Sequence, residues 1–365
     1  MQTIVDPAIP LDERAFKEVI TKERSRADRS GRALVLLLVS RQDGGLLDLS
    51  DRVSFVTDIL SGMKGDLGML GWVEAGRMIG LIVPEIDSRE IAGVSERLET
   101  ECEDAVARDA SCDAWPELSV TLRVYPEEGD SEETFAKLAD PFLYPELSMD
   151  RRTRAGFLFL KRRMDVVFST VMLILLLPLL ALIAALVRAT SPGPAFFRQV
   201  RVGHLMKPFT MYKFRTMYSD VDHHVHHHYV SWFITASDQV SADAQPTTFK
   251  LTTDDRITPI GRWLRRTSLD ELPQLWNVLI GDMSLVGPRP PLAYEVQQYR
   301  PWHRGRVLYA KPGITGLWQV FGRSRTTFDE MVRMDLRYAR TMSLWTDIKI
   351  ILATPIAMII GKGAC

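Results

Sequence analysis

Hydrophobic positions are distributed unevenly along the chain, and the longest uninterrupted apolar stretch covers residues 166–187. No charged residue interrupts it. An α-helix of roughly 22 residues covers about 30 Å, which is the thickness of the hydrocarbon core of a bilayer. A buried helix of a soluble protein is the alternative, but such a helix is rarely so uniformly apolar. The pattern therefore predicts a helix inserted into a membrane.

Basic residues flank this stretch at both ends, residues 161–163 before it and Arg188 after it. Positive charge marks the cytoplasmic ends of membrane segments. Pro178, near the middle, removes one helical hydrogen bond and favours a kink. We therefore predict that residues 156–190 form a re-entrant helix hairpin, broken at Pro178, that returns to the face from which it entered. An ordinary span that tolerates the proline is the alternative.

Residues 1–126 show the short apolar runs and amphipathic segments of a soluble α/β domain. Apolar runs and strict alternation predict strands, whereas a period of 3.6 residues predicts helices. The predicted order is α-β-α-β-β-α-β, and after the first helix the elements fall at residues 34–39, 51–63, 66–72, 77–83, 88–107 and 118–125. Residues 127–155 are acidic and then basic, contain Pro141 and Pro145, and are predicted to form a linker.

Composition narrows the classes of function. The 365 residues, 46% of them hydrophobic, suffice for two domains with separate cores. A net charge of -1 gives no indication of a nucleic-acid partner. Cys102, Cys112 and Cys365 have neither disulfide nor metal-site spacing, as is typical of a reducing compartment. The polar, acidic start of the chain differs from a signal peptide, so the first domain is expected in the cytosol.

Two adjacent carboxylates, Asp270 and Glu271, follow shortly after Ser268. The spacing predicts a capping box, with Ser268 as the N-cap and Glu271 at the third helical position. The helix dipole favours ionised carboxylates at such an end, and the same end attracts phosphate. An ionised aspartate is also a nucleophile that can form an acyl phosphate. Simple helix capping is the alternative.

A carboxylate that attacks a diphosphate needs nearby positive charge to offset the repulsion. Glu271 and Asp282 are candidate ligands of Mg²⁺, which prefers one or two carboxylates together with phosphate oxygens. Guanidinium groups that can bind phosphate in a bidentate manner are abundant in this part of the chain, at Arg215, Arg256, Arg262, Arg265, Arg266 and Arg289. For each arginine, a structural role or a contact with lipid headgroups is the alternative.

Several short motifs occur in order along the second half of the chain. They are Asp165 after the basic residues 161–163, then residues 191–194, 212–217, 256–262, 267–275, 281–290, 312–316 and 343–364. Together they resemble the bacterial sugar transferase family, the monotopic polyprenyl-phosphate phosphoglycosyl transferases. The resemblance covers residues 161–365, just over half of the chain.

The resemblance implies a mostly α-helical, membrane-associated catalytic domain over residues 191–365, at the cytoplasmic face of the bacterial inner membrane. It implies transfer of a hexose-1-phosphate from a UDP-sugar to polyprenyl (undecaprenyl) phosphate with release of UMP, the first membrane step of exopolysaccharide or O-antigen-type glycan assembly. Asp270 would be the covalent nucleophile, and Glu271 would bind Mg²⁺. The alternatives are a membrane glycosyl transferase that releases UDP and a non-enzymatic membrane scaffold.

The resemblance also implies which residues bind substrate. Arg289, between Pro288 and Pro290, is assigned to the nucleotide and phosphate pocket, and the further candidates are Lys213, Arg215, Arg256, Arg262 and Gln319. Residues 316–324 resemble those of family members that use glucose or galactose. Membrane lipid is an expected partner, and a homodimer is the predicted assembly. Residues 344–360 are predicted to form either an interfacial or a core helix, and Trp302, Trp318 and Trp345 are expected at the headgroup level.

The N-terminal domain resembles the palm fold of diguanylate cyclase (GGDEF) domains, through its order of elements and through residues 26–32 and 80–85. Residues 72–76 lack the glycine pair and the second acid of that family's catalytic hairpin, so we predict no cyclase activity. The domain is expected to be a ferredoxin-like or cyclase-palm-like α/β fold. A scaffold or dimerisation module and a nucleotide sensor are the two open roles.

Three features depart from the transferase pattern. Asp255 and Leu177 stand where the family has a proline and a serine. A histidine-rich run covers residues 222–228. Its imidazoles have the chemistry to bind Zn²⁺, and a solvated loop is the alternative.

Overall fold

The computed structural model describes residues 9–47, 50–63, 65–108, 118–127, 139–147, 154–218, 234, 256–322 and 326–360. The chain forms two compact units. The N-terminal unit comprises residues 1–129 and 137–150, and the catalytic-side unit comprises residues 130–136 and 151–365. The histidine-rich run and Asp255 lie outside the described residues.

The N-terminal unit has the predicted order of elements: α1 (Glu13–Ser30), β1 (Ala33–Arg41), α2 (Ser50–Met63), β2 (Met69–Glu74), β3 (Met78–Ile86), α3 (Ile91–Arg108) and β4 (Leu118–Tyr125). The strands form one antiparallel sheet in the order β2-β3-β1-β4. This arrangement confirms the predicted α/β fold, because a β-α-β-β-α-β sequence with this strand order is the ferredoxin-like pattern.

The core of this unit surrounds β1, the central strand. Val35, Leu37 and Val39 project from one face of β1 into a cluster that also holds α2 and α3 residues. On β2 and β3, Gly71 pairs with Gly80 across the strands. A Cβ atom on Gly71 would lie 2.4 Å from the Phe16 side chain of α1. The two glycines therefore let α1 pack directly on the backbone of the sheet.

Part of the predicted linker packs onto the N-terminal unit. The Arg24 guanidinium, which is buried, donates to the carbonyl oxygen of Leu143 at 2.6 Å and pairs with Glu146. Its centre lies 4.3 Å from the centroid of the Tyr144 ring. A buried arginine needs such acceptors, and they come from residues 139–147. The linker prediction for 127–155 therefore does not describe this segment.

The long apolar stretch forms a single helix, α4 (Ala155–Thr190), with Pro178 inside it. Among the described residues, this is the helix that is long and apolar enough to cross a membrane. Its outward side chains are large and exposed, as at Phe159, Ile174 and Leu182. The predicted break into two helices at Pro178 is not confirmed.

One stripe of α4 packs on the rest of its own unit along most of its length. Lys161 and Asp165 are buried before Pro178, and Ile183 and Val187 are buried after it. The segments on both sides of the proline therefore contact one globular body.

The rest of this unit is mostly helical, as predicted. Its elements are β5 (Phe196–Val202), β6 (Pro208–Phe214), α5 (Pro259–Thr267), a 3₁₀ turn (Leu269–Glu271), α6 (Gln274–Ile280), β7 (Ser284–Val286), α7 (Ala293–Gln297), α8 (Gly305–Leu308), β8 (Gly313–Thr315), α9 (Leu317–Phe321), α10 (Phe328–Thr341) and α11 (Leu344–Ile360). β5 and β6 form an antiparallel hairpin, and β7 pairs in parallel with β8.

The last helix, α11, is both a core helix and an exposed one. Asp347 and Ile350 are fully buried, whereas Trp345, Leu352 and Ile356 are more than half exposed. One face therefore packs on the unit, and the opposite face is apolar and open to its surroundings.

Candidate functional site

The acidic pair lies on a tight turn between two helices. α5 begins at Thr258, whose hydroxyl oxygen accepts a hydrogen bond from the Gly261 amide at 2.9 Å. It ends at Ser268, which adopts the left-handed conformation with φ of 54°. The chain then forms the 3₁₀ turn and enters α6. This change of direction leaves Asp270 buried, with 6% of its surface exposed.

The predicted capping box at Ser268 and Glu271 is wrong. The Ser268 side chain makes no capping hydrogen bond. A capping serine normally has an extended backbone, which a left-handed residue lacks. Glu271 instead accepts a hydrogen bond from Lys213 Nζ through Oε1 at 2.9 Å. Glu271 is therefore held by a cation from β6 rather than by a capping contact with Ser268.

The β5–β6 hairpin places two cations on one face. Lys213 lies opposite Phe197, and Arg201 lies opposite Phe209. Residues two apart on a strand share a face, so Lys213 and Arg201 project from the same side of the hairpin. Arg201 is buried, and its pKa is lowered to about 10 by burial and by the nearby Arg289. It therefore remains charged at neutral pH.

The loop with Pro288, Arg289 and Pro290 follows β7 and approaches its neighbours closely. The Gly287 amide donates to Thr315 O at 2.9 Å, and Pro288 O accepts from the Gly313 amide at 2.8 Å. A Cβ atom on Gly287 would lie 2.1 Å from the carbonyl oxygen of Lys311. Glycine is therefore required where the loop leaves the strand.

Arg289 and Arg201 meet at a buried carboxylate. Arg289 Nη1 donates to Glu295 Oε2 at 3.1 Å, and Arg201 Nη1 lies 4.0 Å from Glu295 Oε1. Glu295 is 1% exposed. Although burial opposes the charged form, Arg289 and Arg201 hold the pKa of the Glu295 carboxyl below its ordinary value. The site thus contains an ionised acid that the sequence analysis missed.

The sequence analysis missed Arg201 as well. Its signal was weak: Gln199 and Arg201 interrupt the apolar pattern of a short strand. Glu295 has the appearance of an ordinary helix-surface glutamate, because nothing local indicates that it is buried.

Buried hydrogen bonds from α4 anchor β7 and α6. Asp165 accepts from the Leu285 amide at 3.1 Å and from the Ser284 hydroxyl at 2.8 Å. Lys161 Nζ donates to Val286 O at 3.2 Å. Arg162 donates to Val278 O at 2.6 Å, at the end of α6. The apolar helix therefore carries the polar groups that fix β7 and the C-terminal end of α6.

The remaining predicted binding residues are distributed over several contacts. Arg215 is buried and donates through Nη2 to the carbonyl and the hydroxyl oxygen of Ser191, both at 2.8 Å, at the end of α4. Arg262 is exposed on α5. The Arg256 carbonyl accepts from the Tyr218 amide at 3.1 Å. Gln319 Nε2 donates to Ile314 O at 3.3 Å. Their roles in substrate binding stay predictions.

The two predicted metal ligands lie at opposite ends of α6. Glu271 precedes the helix, and Asp282 follows it, accepting from Asn277 Nδ2 at 3.3 Å. Within the described ranges, no group of three or more metal-ligating side chains occurs. Mg²⁺ requires only one or two carboxylates when phosphate oxygens and water complete its shell. Glu271 lies on the same turn as Asp270, whereas Asp282 lies at the far end of the helix, and the metal-binding roles of Glu271 and Asp282 stay predictions.

Known proteins match the catalytic-side unit. The family model described as bacterial sugar transferase matches residues 157–361. The galactosyl transferase CpsE of Streptococcus agalactiae is 46% identical over 173 residues, covering 47% of this chain and 36% of that protein. The UDP-glucose:undecaprenyl-phosphate glucose-1-phosphate transferase of Escherichia coli is 42% identical over 212 residues, covering 56% and 41%. The chain thus matches about two fifths of the length of these relatives.

Two further comparisons concern a shorter relative and the N-terminal unit. The exopolysaccharide production protein ExoY of Rhizobium meliloti is 36% identical over 231 residues, covering 62% of this chain and 96% of ExoY. A DGC protein structure from Thermotoga maritima is 17% identical, covers 36% of this chain and 96% of that chain, and has a TM-score of 0.28. That score is too low to assign a fold. The family model and ExoY are decisive for residues 157–361: the chain belongs to the bacterial sugar transferase family.

Proposed function

We propose that the protein transfers a hexose-1-phosphate from a UDP-sugar to polyprenyl (undecaprenyl) phosphate and releases UMP. The observation that carries the proposal is a buried aspartate, Asp270, on a turn whose second acid, Glu271, forms an ion pair with Lys213. Relatives that are named undecaprenyl-phosphate sugar transferases support the substrate class.

In the first step, a carboxylate oxygen of Asp270 attacks the sugar-bearing phosphorus of the UDP-sugar. The new bond joins Asp270 to that phosphorus, and the bridging P–O bond to the uridine-bearing phosphate breaks. UMP leaves with the bonding electron pair on its oxygen. A nucleophile held in a dry, fixed turn needs little reorganisation to reach the phosphorus.

In the second step, an oxygen of polyprenyl phosphate attacks the phosphorus of the acyl phosphate. The bond to Asp270 breaks, and its carboxylate is regenerated. The product is a polyprenyl diphosphate sugar, and charge and atoms balance over the two steps.

Positive side chains offset the repulsion between an anionic nucleophile and an anionic diphosphate. Lys213 and Arg289 are the cations best placed to meet phosphate oxygens, since both are partly exposed beside the turn and the loop. Asp270 and Glu271 would hold Mg²⁺, which would neutralise charge on the diphosphate.

We further propose that α4 enters and leaves the membrane at the same, cytoplasmic face. Segments on both sides of Pro178 pack on one globular body, which a helix spanning to the opposite face would not allow. Single cysteines introduced as Gly156→Cys and Gly193→Cys, in a chain without its native cysteines, should react with an impermeant reagent from the same side of sealed vesicles. Labelling from opposite sides would show that α4 spans the bilayer.

We propose glucose or galactose as the sugar, in line with the printed names of the relatives, and exopolysaccharide-type glycan assembly as the pathway class, in line with ExoY. The decisive experiment uses the full chain in nanodiscs with Mg²⁺, undecaprenyl phosphate and a panel of UDP-sugars. UMP and UDP are assayed separately. UMP release that requires Asp270 supports the proposal, whereas UDP release indicates a glycosyl transferase that moves the sugar alone.

A further inference from the structure

Glu295 is a deeply buried acid that contacts Arg289 of the Pro288–Pro290 loop. It lies on α7, a short helix that begins two residues after Pro291. Its two oxygens receive three contacts from the Arg289 guanidinium, at 3.1, 3.3 and 3.4 Å. Arg289 keeps 22% of its side chain exposed while Glu295 keeps 1%. The buried carboxylate therefore holds the guanidinium of a side chain that is itself partly exposed.

Arg201, on β5, contacts both Glu295 and the loop that carries Arg289. It approaches Glu295 to 4.0 Å and donates through Nη1 to Pro290 O at 3.0 Å. Its Nε and Nη2 atoms donate to Gln199 Oε1 at 3.0 and 2.7 Å. The Val202 amide donates to Pro291 O at 2.9 Å. The strand β5 therefore fixes the backbone of the loop at Pro290 and Pro291.

An isolated helix-surface glutamate would not account for this burial. A buried carboxylate is unfavourable unless it is paired and hydrogen-bonded, and here two guanidinium groups satisfy that condition. A planar guanidinium held at one edge by a fixed carboxylate presents its remaining donors in a fixed direction. Such preorganisation is what a site needs when it must bind a diphosphate in one orientation.

We propose that Glu295 is a positioning residue, which aims the Arg289 guanidinium at the diphosphate of the nucleotide sugar. The inference rests on the proposed function for the identity of the ligand. In this role Glu295 does not contact the substrate and acts through Arg289. Arg201 lies near the same carboxylate and donates a hydrogen bond to the backbone of the loop.

The direction in which Glu295→Gln changes nucleotide affinity distinguishes a positioning role from a purely electrostatic one. Glu295→Gln removes a negative charge and makes the pocket more positive. If Glu295 only tuned the local charge, UDP and UDP-sugar would bind more tightly to the variant. If it aims Arg289, they would bind more weakly, because two guanidinium groups would then repel each other without an anion between them.

The test uses the full chain in nanodiscs with Mg²⁺. UDP binding is measured by calorimetry, and UMP release is measured as a function of UDP-sugar concentration. The variants are Glu295→Gln and the milder Gln199→Ala, which removes the Gln199 acceptor from Arg201 without changing charge. The matched control is Glu146→Gln, which removes another carboxylate that pairs with a buried arginine, in the N-terminal unit.

For Glu295→Gln we expect KM and the Kd of UDP to rise about 10- to 100-fold, the range for losing a charge-assisted contact, with kcat changed less than about threefold. Gln199→Ala should raise both about threefold to tenfold, which keeps the test decisive if Glu295→Gln does not fold. Glu146→Gln should change neither. Unchanged or tighter binding in the variants would overturn the proposal.

The binding measurement keeps this inference separate from the proposed function. If the wild type released no UMP but bound UDP, and Glu295→Gln weakened that binding, the transferase proposal would fail and the positioning role would stand. If the wild type did not bind UDP, the positioning role would be overturned.

Discussion

The two units of the protein are built around different kinds of core. In the N-terminal unit, the described core is a sheet whose central strand is apolar on both faces, and Arg24 is the charged residue buried there. In the catalytic-side unit, buried charges recur throughout the described residues, at Lys161, Asp165, Arg201, Arg215, Asp270, Glu295, Arg306, Asp335 and Asp347.

The difference follows from how much regular structure each unit has. The N-terminal sheet satisfies its backbone groups through long ladders between strands. β7 and β8 are three residues long, and the loop after β7 has few ladder partners. Buried Lys161 and Asp165 supply hydrogen bonds to β7 instead. Buried charge is expensive, so the use of Lys161 and Asp165 to hold β7 indicates that the position of this strand and its loop matters for function.

The largest expected effect is at the nucleophile. Asp270→Asn keeps the shape of the side chain but removes its charge, so UMP release should fall by about 10³-fold or more. The melting temperature should change by no more than a few degrees, since the turn retains its packing. Asp12→Asn, at the N-cap of α1, is the matched control, because asparagine caps helices as well as aspartate does. Substantial turnover in Asp270→Asn would rule out the covalent mechanism.

The next effect tests the buried charges of the catalytic-side unit. Lys161 Nζ lies 2.6 Å from Asp347 Oδ2, with both side chains almost fully buried. Asp347→Asn leaves the lysine without its anion and should destabilise the unit by about 3–5 kcal/mol. For a unit of roughly 200 residues, a loss of this magnitude should lower the melting temperature by about 10 °C.

Two comparison variants sharpen that result. Lys161→Met combined with Asp347→Leu should recover most of the lost stability, because an apolar pair of similar volume carries no desolvation penalty. Glu18→Gln removes the anion of an exposed pair with Arg14 and should change stability by less than about 1 kcal/mol. A similar loss in all three variants would contradict the buried-charge explanation.

A smaller effect concerns His303, which is buried against Tyr299 and Phe328. Its Nδ1 accepts from the Arg300 amide at 3.1 Å, so its single proton lies on Nε2, 3.0 Å from Asp329. Burial outweighs the attraction of Asp329 and lowers the pKa of His303 to about 4. The unfolded chain therefore binds the proton more tightly than the folded one.

The contribution of neutral His303 to the free energy of unfolding is fully present above about pH 6.5. As the pH falls towards 4, up to about 3 kcal/mol of it is lost. Melting curves between pH 7.5 and 4.5 should show this loss in the wild type. His303→Asn should be less stable at neutral pH but flatter over the same range. Parallel curves for the two proteins would show that His303 does not titrate as stated.

The smallest expected effect tests the N-terminal core. Gly71→Ala would force a Cβ atom against the Phe16 side chain and should destabilise the unit by about 1–3 kcal/mol. Gly93→Ala, on α3 with no atom within 4 Å of the new Cβ, should stabilise it by about 0.5–1 kcal/mol. Hydrogen exchange of β2 and β3 peptides measures both. Equal protection in the two variants would contradict the close packing of α1 on the sheet.

Local pattern predicted the N-terminal unit well because its elements follow hydrophobic periodicity. Strand β4 has the predicted bounds, and the other predicted elements differ from the structure by a few residues. The predicted capping box was wrong because it depended on backbone conformation as well as on residue spacing. Its residue types were correct, but Ser268 took a left-handed conformation that the spacing of side chains does not encode.

By itself, the sequence determined the order of helices and strands in the first unit, the apolar helix α4, and the acidic pair with its flanking motifs. Those features depend on residues near one another in the chain, where periodicity and motif spacing carry the information. Only the tertiary structure decided which partner each buried charged side chain contacts. Lys161 pairs with Asp347, Arg215 with Ser191, and Arg201 with the loop at Pro290. Each pairing joins distant segments, and burial of the whole unit sets its energy, so no local pattern specifies it.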